Sequence, residues 1–159
     1  MNNKILTAYF SASGVTAKAA KQLAAMANTD LFEIKPSVPY SEADLNWMDK
    51  QSRSSIEMNK LEFRPEISEK LGSIEKYDIV LLCFPIWWYV APTIINTFLE
   101  GYDFSNKTVV LFATSGGSGF GKTVEGLRVS LDASAKIVEG KVLNGKISKE
   151  DVQKIINSL

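Results

Sequence analysis

The chain has 159 residues, 45% of them apolar and 23% charged, with 18 lysines plus arginines against 18 aspartates plus glutamates. That is the length and composition of one ordinary domain, read here as a single unit over residues 1–159, and the even charge balance argues against a nucleic-acid footprint or a polybasic membrane patch. With Cys83 as the lone cysteine and no histidine, an internal disulfide, a Ser-His-Asp triad, a Cys-His dyad and a histidine metal site are excluded. The amino terminus, Met-Asn-Asn-Lys-Ile-Leu, lacks the features of a signal peptide, and no apolar stretch reaches the ~20 residues that span a bilayer. The expectation is a cytoplasmic protein without membrane or metal partners.

Short apolar runs alternate with helical patterns along the chain. Ile5 to Phe10 predicts a first strand, and Thr16 to Ala27 a helix with Ala19, Ala20, Leu23, Ala24 and Ala27 on one face. So many alanines suit a helix packed closely against a sheet. Leu31 to Lys35 predicts a second strand, ended by Pro36. The stretch Ser37 to Pro65 then breaks the rhythm: it is long and polar, with Tyr40, Trp47, Arg53, Met58 and Phe63 scattered through it. Ser41 with Asp44 is a possible helix cap, and a second short helix is expected from Pro65 to Leu71. This stretch reads either as an irregular crossover or as a cover over a ligand or partner surface.

Asp78 to Phe84 is the most apolar strand candidate, and Cys83 within it reads as a small buried hydrophobe. Pro92 to Leu99 predicts a helix with proline in its first turn. Thr108 to Ala113 predicts a fourth strand, Lys122 to Leu131 a helix, and Ala135 to Val142 a fifth, weaker strand. Ser148-Lys-Glu-Asp151 is a capping-box pattern opening a last helix that ends at Leu159. Strands that are apolar throughout are buried on both faces, which implies a parallel sheet with helices on each side and right-handed crossovers.

Ligands of such sheets bind outside the carboxyl ends of the strands. Three segments leave strand ends. The first, Ser11-Ala-Ser-Gly-Val-Thr16, runs into a helix start, where unpaired amides and the helix dipole favour an anion. Gly14 permits a tight turn, and Ser11, Ser13 and Thr16 add hydroxyls; an ordinary helix cap would look similar. The second, Pro85-Ile-Trp-Trp-Tyr89, can form a flat wall for an aromatic ring, or fill the core. The third, Thr114 to Gly121, is glycine-rich and lets a backbone pass close to a planar ligand, or is a flexible turn.

The third segment also matches the phosphate-binding pattern G-x-x-x-x-G-K-[ST] over Gly116 to Thr123, which would place Lys122 on phosphates and Thr123 on magnesium. Only 36 residues follow Thr123, with no apolar strand ending in an aspartate to hold the metal. A nucleotide there would also leave the aromatic segment unexplained, so this match is read as accidental, and a P-loop nucleotide binder is the third-ranked function.

Together the three segments, in this order and spacing, resemble a flavodoxin over nearly the whole chain. Tyr9 to Thr16 resembles the flavodoxin phosphate loop, Phe84 to Pro92 the first ring loop of a bacterial flavodoxin-like subgroup, and Thr114 to Gly121 its second. The segment Trp47 to Met58, with its Ser-Arg-Ser-Ser, resembles the same subgroup. The resemblance implies an α/β flavodoxin-like three-layer sandwich, a five-stranded parallel sheet of order 2-1-3-4-5, and one non-covalent FMN. It further implies that Ser11, Ser13, Gly14, Val15 and Thr16 hold the phosphate. Pro85, Ile86, Trp87, Trp88 and Tyr89 would lie along one side of the isoalloxazine, and Thr114, Ser115, Gly116 and Gly117 would meet its other edge.

No side chain is then required as acid, base or nucleophile, because the flavin carries the redox chemistry. Two departures stand out. Flavodoxins commonly have a glycine in the first ring loop, where a peptide flips toward the reduced flavin; here the position is Tyr89, and tyrosine resists positive φ far more than glycine. Many flavodoxins are acidic, and this chain is neutral. The expected function is low-potential electron transfer between a reductase and an acceptor protein, or to a small-molecule acceptor. The alternative is an FMN-dependent NAD(P)H or quinone-type reductase.

Overall fold

Three apolar runs pair side by side and set the architecture. The computed structural model describes residues 4–12, 14–60, 62–115, 119–143 and 148–159. The strands are β1 (Ile5–Tyr9), β2 (Asp30–Glu33), β3 (Ile79–Pro85), β4 (Thr108–Thr114) and β5 (Lys136–Val142). The helices are α1 (Val15–Ala27), α2 (Arg53–Met58), α3 (Thr93–Glu100), α4 (Thr123–Arg128) and α5 (Lys149–Asn157). All strand pairs are parallel, and the order is β2-β1-β3-β4-β5, as the flavodoxin resemblance implied.

The central strands are buried on both faces because each face meets helices. Val80, Leu82 and Phe84 of β3 join Ile94, Ile95, Phe98 and Leu99 of α3 in one apolar cluster. Ile79, Leu81 and Cys83 point the other way, to Ala19, Ala20 and Leu23 of α1 and Val152 of α5. The alanines of α1 let that helix sit close to the sheet. Burying each Leu, Ile or Phe contributes about 1.5–3 kcal/mol, so these layers hold most of the favourable burial energy. β5 is an edge strand, with Lys136 and Lys141 exposed along it, which protects the edge from pairing with other chains. Its register slips opposite Leu111 and Phe112, and Gly140 is the extra residue. A Cβ there would meet the Leu111 carbonyl oxygen at 2.7 Å.

Several expected elements differ in extent or kind. No helix forms over Pro65 to Leu71. Instead Pro36 and Ile67 form an antiparallel bridge, with Ser37 N donating to Glu66 O at 2.9 Å and Ser68 N to Lys35 O at 2.9 Å. The Ser68 amide and the Glu66 carbonyl are thus engaged by the segment after β2, not by a helical turn. Ser41 and Asp44 do form a reciprocal box, Ser41 N to Asp44 Oδ2 at 2.9 Å and Asp44 N to Ser41 Oγ at 3.2 Å, but it opens only a 3-10 turn, Ala43–Leu45. Helix α4 stops at Arg128, short of Leu131. The Arg128 guanidinium binds the carbonyls of Ala135 at 2.6 Å, Asp132 at 2.9 Å and Ala133 at 3.2 Å, which organises a turn in place of a further helical turn. Ser148 caps α5 as expected, accepting from Asp151 N. Among the described residues no helix is long and apolar enough to cross a membrane, and no group of acidic or thiol side chains could hold a metal.

Burial pushes the Cys83 thiol up to about 12. A thiol reagent at pH 8 should therefore leave the native protein unlabelled and modify one thiol per chain after denaturation. Labelling of the native chain at the rate of a free thiol would contradict the fold.

Candidate functional site

All three loops leave the carboxyl ends of the central strands β1, β3 and β4, and Thr114 joins them. Its buried hydroxyl hydrogen-bonds the Thr16 hydroxyl at 2.6 Å, tying the end of β4 to the start of α1. Its carbonyl accepts from Ile86 N at 2.9 Å, tying β4 to the loop after β3. Ser115 follows it, half-buried.

The first loop begins where Phe10 N donates to Cys83 O at 3.0 Å, beyond the end of β1. Gly14 is the N-cap of α1 with φ of 94°, a left-handed conformation that favours glycine. Its own N–H donates to Ser11 Oγ at 3.0 Å. Having no side chain, the cap offers no oxygen to the first amides of this 13-residue helix, and the first turn holds no acidic residue. Val15 is 63% exposed at the mouth of that turn. Thr16 is buried, its hydroxyl engaged with Thr114, so it fixes the loop as much as it offers a donor. Ser13 lies outside the described residues.

The second loop is a tight hairpin. Trp87 N donates to Val90 O at 2.9 Å and Val90 N to Trp87 O at 3.1 Å, so Trp88 and Tyr89 are the two central residues of a type I′ turn. Both have positive φ, 51° and 65°. The glycine-like conformation is thus present at Tyr89 without a glycine, at a cost of roughly 1–3 kcal/mol per residue. What holds it is visible: Lys122 N donates to Tyr89 O at 3.0 Å, and Gly121 (φ of 56°) sits so close that a Cβ would clash with that oxygen. Trp87 and Trp88 part company here. Trp87 packs edge-on against Phe10 and Tyr40, at 5.7 and 5.5 Å between ring centres, while Trp88 and Tyr89 are exposed.

The long polar connection is a built cover. Glu57 is buried, accepting from Arg53 Nε at 2.9 Å and, through a short hydrogen bond, from the Tyr40 hydroxyl. The Arg53 guanidinium lies 3.8 Å from the Tyr40 ring centre and donates to Val38 O at 2.7 Å. This cluster fixes Tyr40 against Trp87. Leu45, Trp47 and Ser54 of the cover then face Ile86 to Tyr89 across a cavity of about 360 Å³. The Ser54 hydroxyl is buried in its wall and has no partner among the described residues. The sequence pointed to Tyr40, Trp47, Arg53 and the Ser-Arg-Ser-Ser run that holds Ser54, but Glu57 was missed; the Arg53–Glu57 spacing of four on a helix was the available signal.

In the third loop, Gly116 and Gly117 lie outside the described residues. Thr123, which a P-loop would turn to magnesium, is fully buried, and its hydroxyl donates to Phe120 O. Helix α4 behind it has only six residues. Both observations weigh against the P-loop match.

A helix start without a side-chain cap, an aromatic hairpin and an orphaned buried hydroxyl beside it suit a ligand with an anionic tail and a flat polar head. Comparison with known proteins agrees. The flavodoxin family model matches residues 4–159. The chain belongs to the flavodoxin family. It is 45% identical to a candidate flavoprotein from Bacteroides eggerthii DSM 20697, covering 99% of this chain and 98% of that one, with a TM-score of 0.90. It is 44% identical to a candidate flavoprotein from Bacteroides uniformis ATCC 8492, covering 99% of each, with a TM-score of 0.86. The fold is shared with a flavoprotein from Lactobacillus acidophilus NCFM solved in complex with FMN, at 24% identity, 98% and 99% coverage and a TM-score of 0.72. None of the curated proteins is a close match to this chain.

The clamp on this family member's cover has two measurable consequences. Glu57→Gln should lower the unfolding free energy by about 1–3 kcal/mol, because it weakens a mostly buried charged hydrogen bond, and should reduce the near-ultraviolet circular dichroism of Trp87. Burial, then the Glu57 hydrogen bond and charge, raise the Tyr40 pKa above its ordinary 10.0. The unfolded tyrosine ionises first, so this contribution is complete below pH 10 and stability falls as the pH rises above it. Denaturation midpoints across that range, compared with Tyr40→Phe, check the sign.

Proposed function

We propose that the protein is an FMN-binding flavodoxin that carries electrons between partner proteins. FMN is the cofactor of this family's fold as seen in the Lactobacillus acidophilus complex and in a Fusobacterium nucleatum flavodoxin mutant bound to FMN. The observation that carries the assignment to these residues is the Thr114 junction, which sets the open start of α1 beside the aromatic hairpin.

Ser11, Ser13, Gly14, Val15 and Thr16 would hold the phosphate, with neutral donors and the dipole of α1 in place of a cationic side chain. Pro85, Ile86, Trp87, Trp88 and Tyr89 would bound the ring on one side, and Thr114, Ser115, Gly116 and Gly117 on the other. When bound, the isoalloxazine supplies the electron chemistry. The chain's residues position it, exclude water from its inner face and set the polarity around it. Trp47, Trp88 and Tyr89 are all exposed around the cavity beside the hairpin, an apolar rim suited to a redox partner's surface. A cytoplasmic location accords with this role.

A second reading, an NAD(P)H-dependent or quinone-type reductase, draws support from the cavity between the cover and the hairpin. Anaerobic stopped-flow mixing with NADPH separates the two. A carrier keeps its yellow absorbance for minutes; bleaching within seconds would establish the reductase.

The phosphate assignment has its own test. Val15→Glu places a carboxylate at the first turn of α1, which is favourable to the helix but repels a phosphate. Calorimetry should show FMN affinity falling tenfold or more, about 1.4 kcal/mol, with riboflavin affinity nearly unchanged. Equal losses for both ligands would refute the assignment.

A further inference from the structure

The cover carries one aromatic side chain that its own packing does not use. Trp47 is 69% exposed, and among the described residues no other ring contacts it. Its backbone is nevertheless fixed. Asn46 N donates to Ala43 O at 3.3 Å, Met48 N to Asn46 Oδ1 at 3.2 Å and Asp49 N to Asn46 O at 3.1 Å. The Ser41–Asp44 box holds the 3-10 turn just before it. The indole is thus presented by an ordered turn and has no ring neighbour to bury it.

What it faces indicates its ligand. Trp47 lines the cavity of about 360 Å³ from the cover side, opposite Ile86 to Tyr89. Those four residues are among the ones assigned above to the flavin ring, so the cavity continues the ring site and is not a separate one. Its volume is in the range of small-ligand pockets, about 300–1,000 Å³. Leu45 adds an aliphatic contact, and no charged side chain among the described residues lines the cavity. Such a lining suits a flat, uncharged aromatic system, which is the isoalloxazine and not the phosphate tail. We propose that Trp47 is a ring-binding residue, its indole facing the isoalloxazine from the cover side, opposite the aromatic hairpin. This rests on the FMN reading and adds to it a contact from the long connection after β2, which none of the three strand-end loops supplies. The cavity then serves the cofactor and not a second substrate, which favours the carrier over the reductase.

Calorimetry of the full chain with FMN and with riboflavin tests it, in the parent, Trp47→Ala and Trp47→Phe. Trp47→Ala should weaken FMN and riboflavin by the same factor, about fivefold or more, because both carry the ring. Trp47→Phe keeps an aromatic face and should hold both affinities within about twofold of the parent. The side chain is exposed, so the melting temperature of flavin-free Trp47→Ala should match the parent's. In the isotope-labelled chain, the Trp47 indole N–H resonance, identified by its loss in Trp47→Phe, should shift with riboflavin as it does with FMN. Unchanged FMN affinity in Trp47→Ala, a loss confined to FMN, a lowered melting temperature of the flavin-free variant, or an indole resonance unmoved at saturation would each overturn the proposal. A chain that bound no flavin would defeat the function proposed above along with it, whereas FMN binding indifferent to Trp47 would defeat this inference alone.

Discussion

Thr114 is the residue on which the geometry of the site depends. Parallel pairing brings β1, β3 and β4 to one edge, but strand ends alone do not set loops at bonding distance. The Thr114 hydroxyl holds Thr16 and its carbonyl holds Ile86, so one buried residue sets the spacing of an anion-favouring helix start and an aromatic wall. A buried pair of hydroxyls is stable only while both remain bonded. That makes the junction stiff, and it fixes the uncapped start of α1 beside the hairpin.

The hairpin is the strained part. Two consecutive non-glycine residues with positive φ persist only where their surroundings over-determine them. Here the surroundings come from both sides. Gly121 and Lys122 grip the Tyr89 carbonyl, and the Arg53–Glu57–Tyr40 cluster presses on Trp87. The polar connection after β2 thus works as a brace: its half-buried ion pair fixes one aromatic ring, which fixes the next. This frees Trp88 and Tyr89 to face outward, since the packing task falls to Trp87.

The parallel sheet was legible in the sequence because burial on both faces is a local signal, while its order came only from the resemblance that the three loop motifs carry. The alanine face of α1 and the Ser148 cap read equally directly. The failures share a cause. Pro65 to Leu71 looked helical, but its Ser68 amide donates to Lys35 O and its Glu66 carbonyl accepts from Ser37 N, a long-range pairing with no local signature. The Arg53–Glu57 spacing was a local signal for α2, but the packing of Tyr40 on that pair, 13 and 17 residues away, was not. At Tyr89 the intrinsic preference against positive φ was real, but neighbours distant in sequence outweighed it.

The most direct test of the account is a titration of the isotope-labelled chain with FMN, followed by amide NMR. Binding of one FMN per chain, with the largest shifts at Gly14 to Thr16, Ile86 to Tyr89 and Thr114 to Ser115, is the predicted result. Binding whose largest shifts fall elsewhere, or no binding at all, would contradict it.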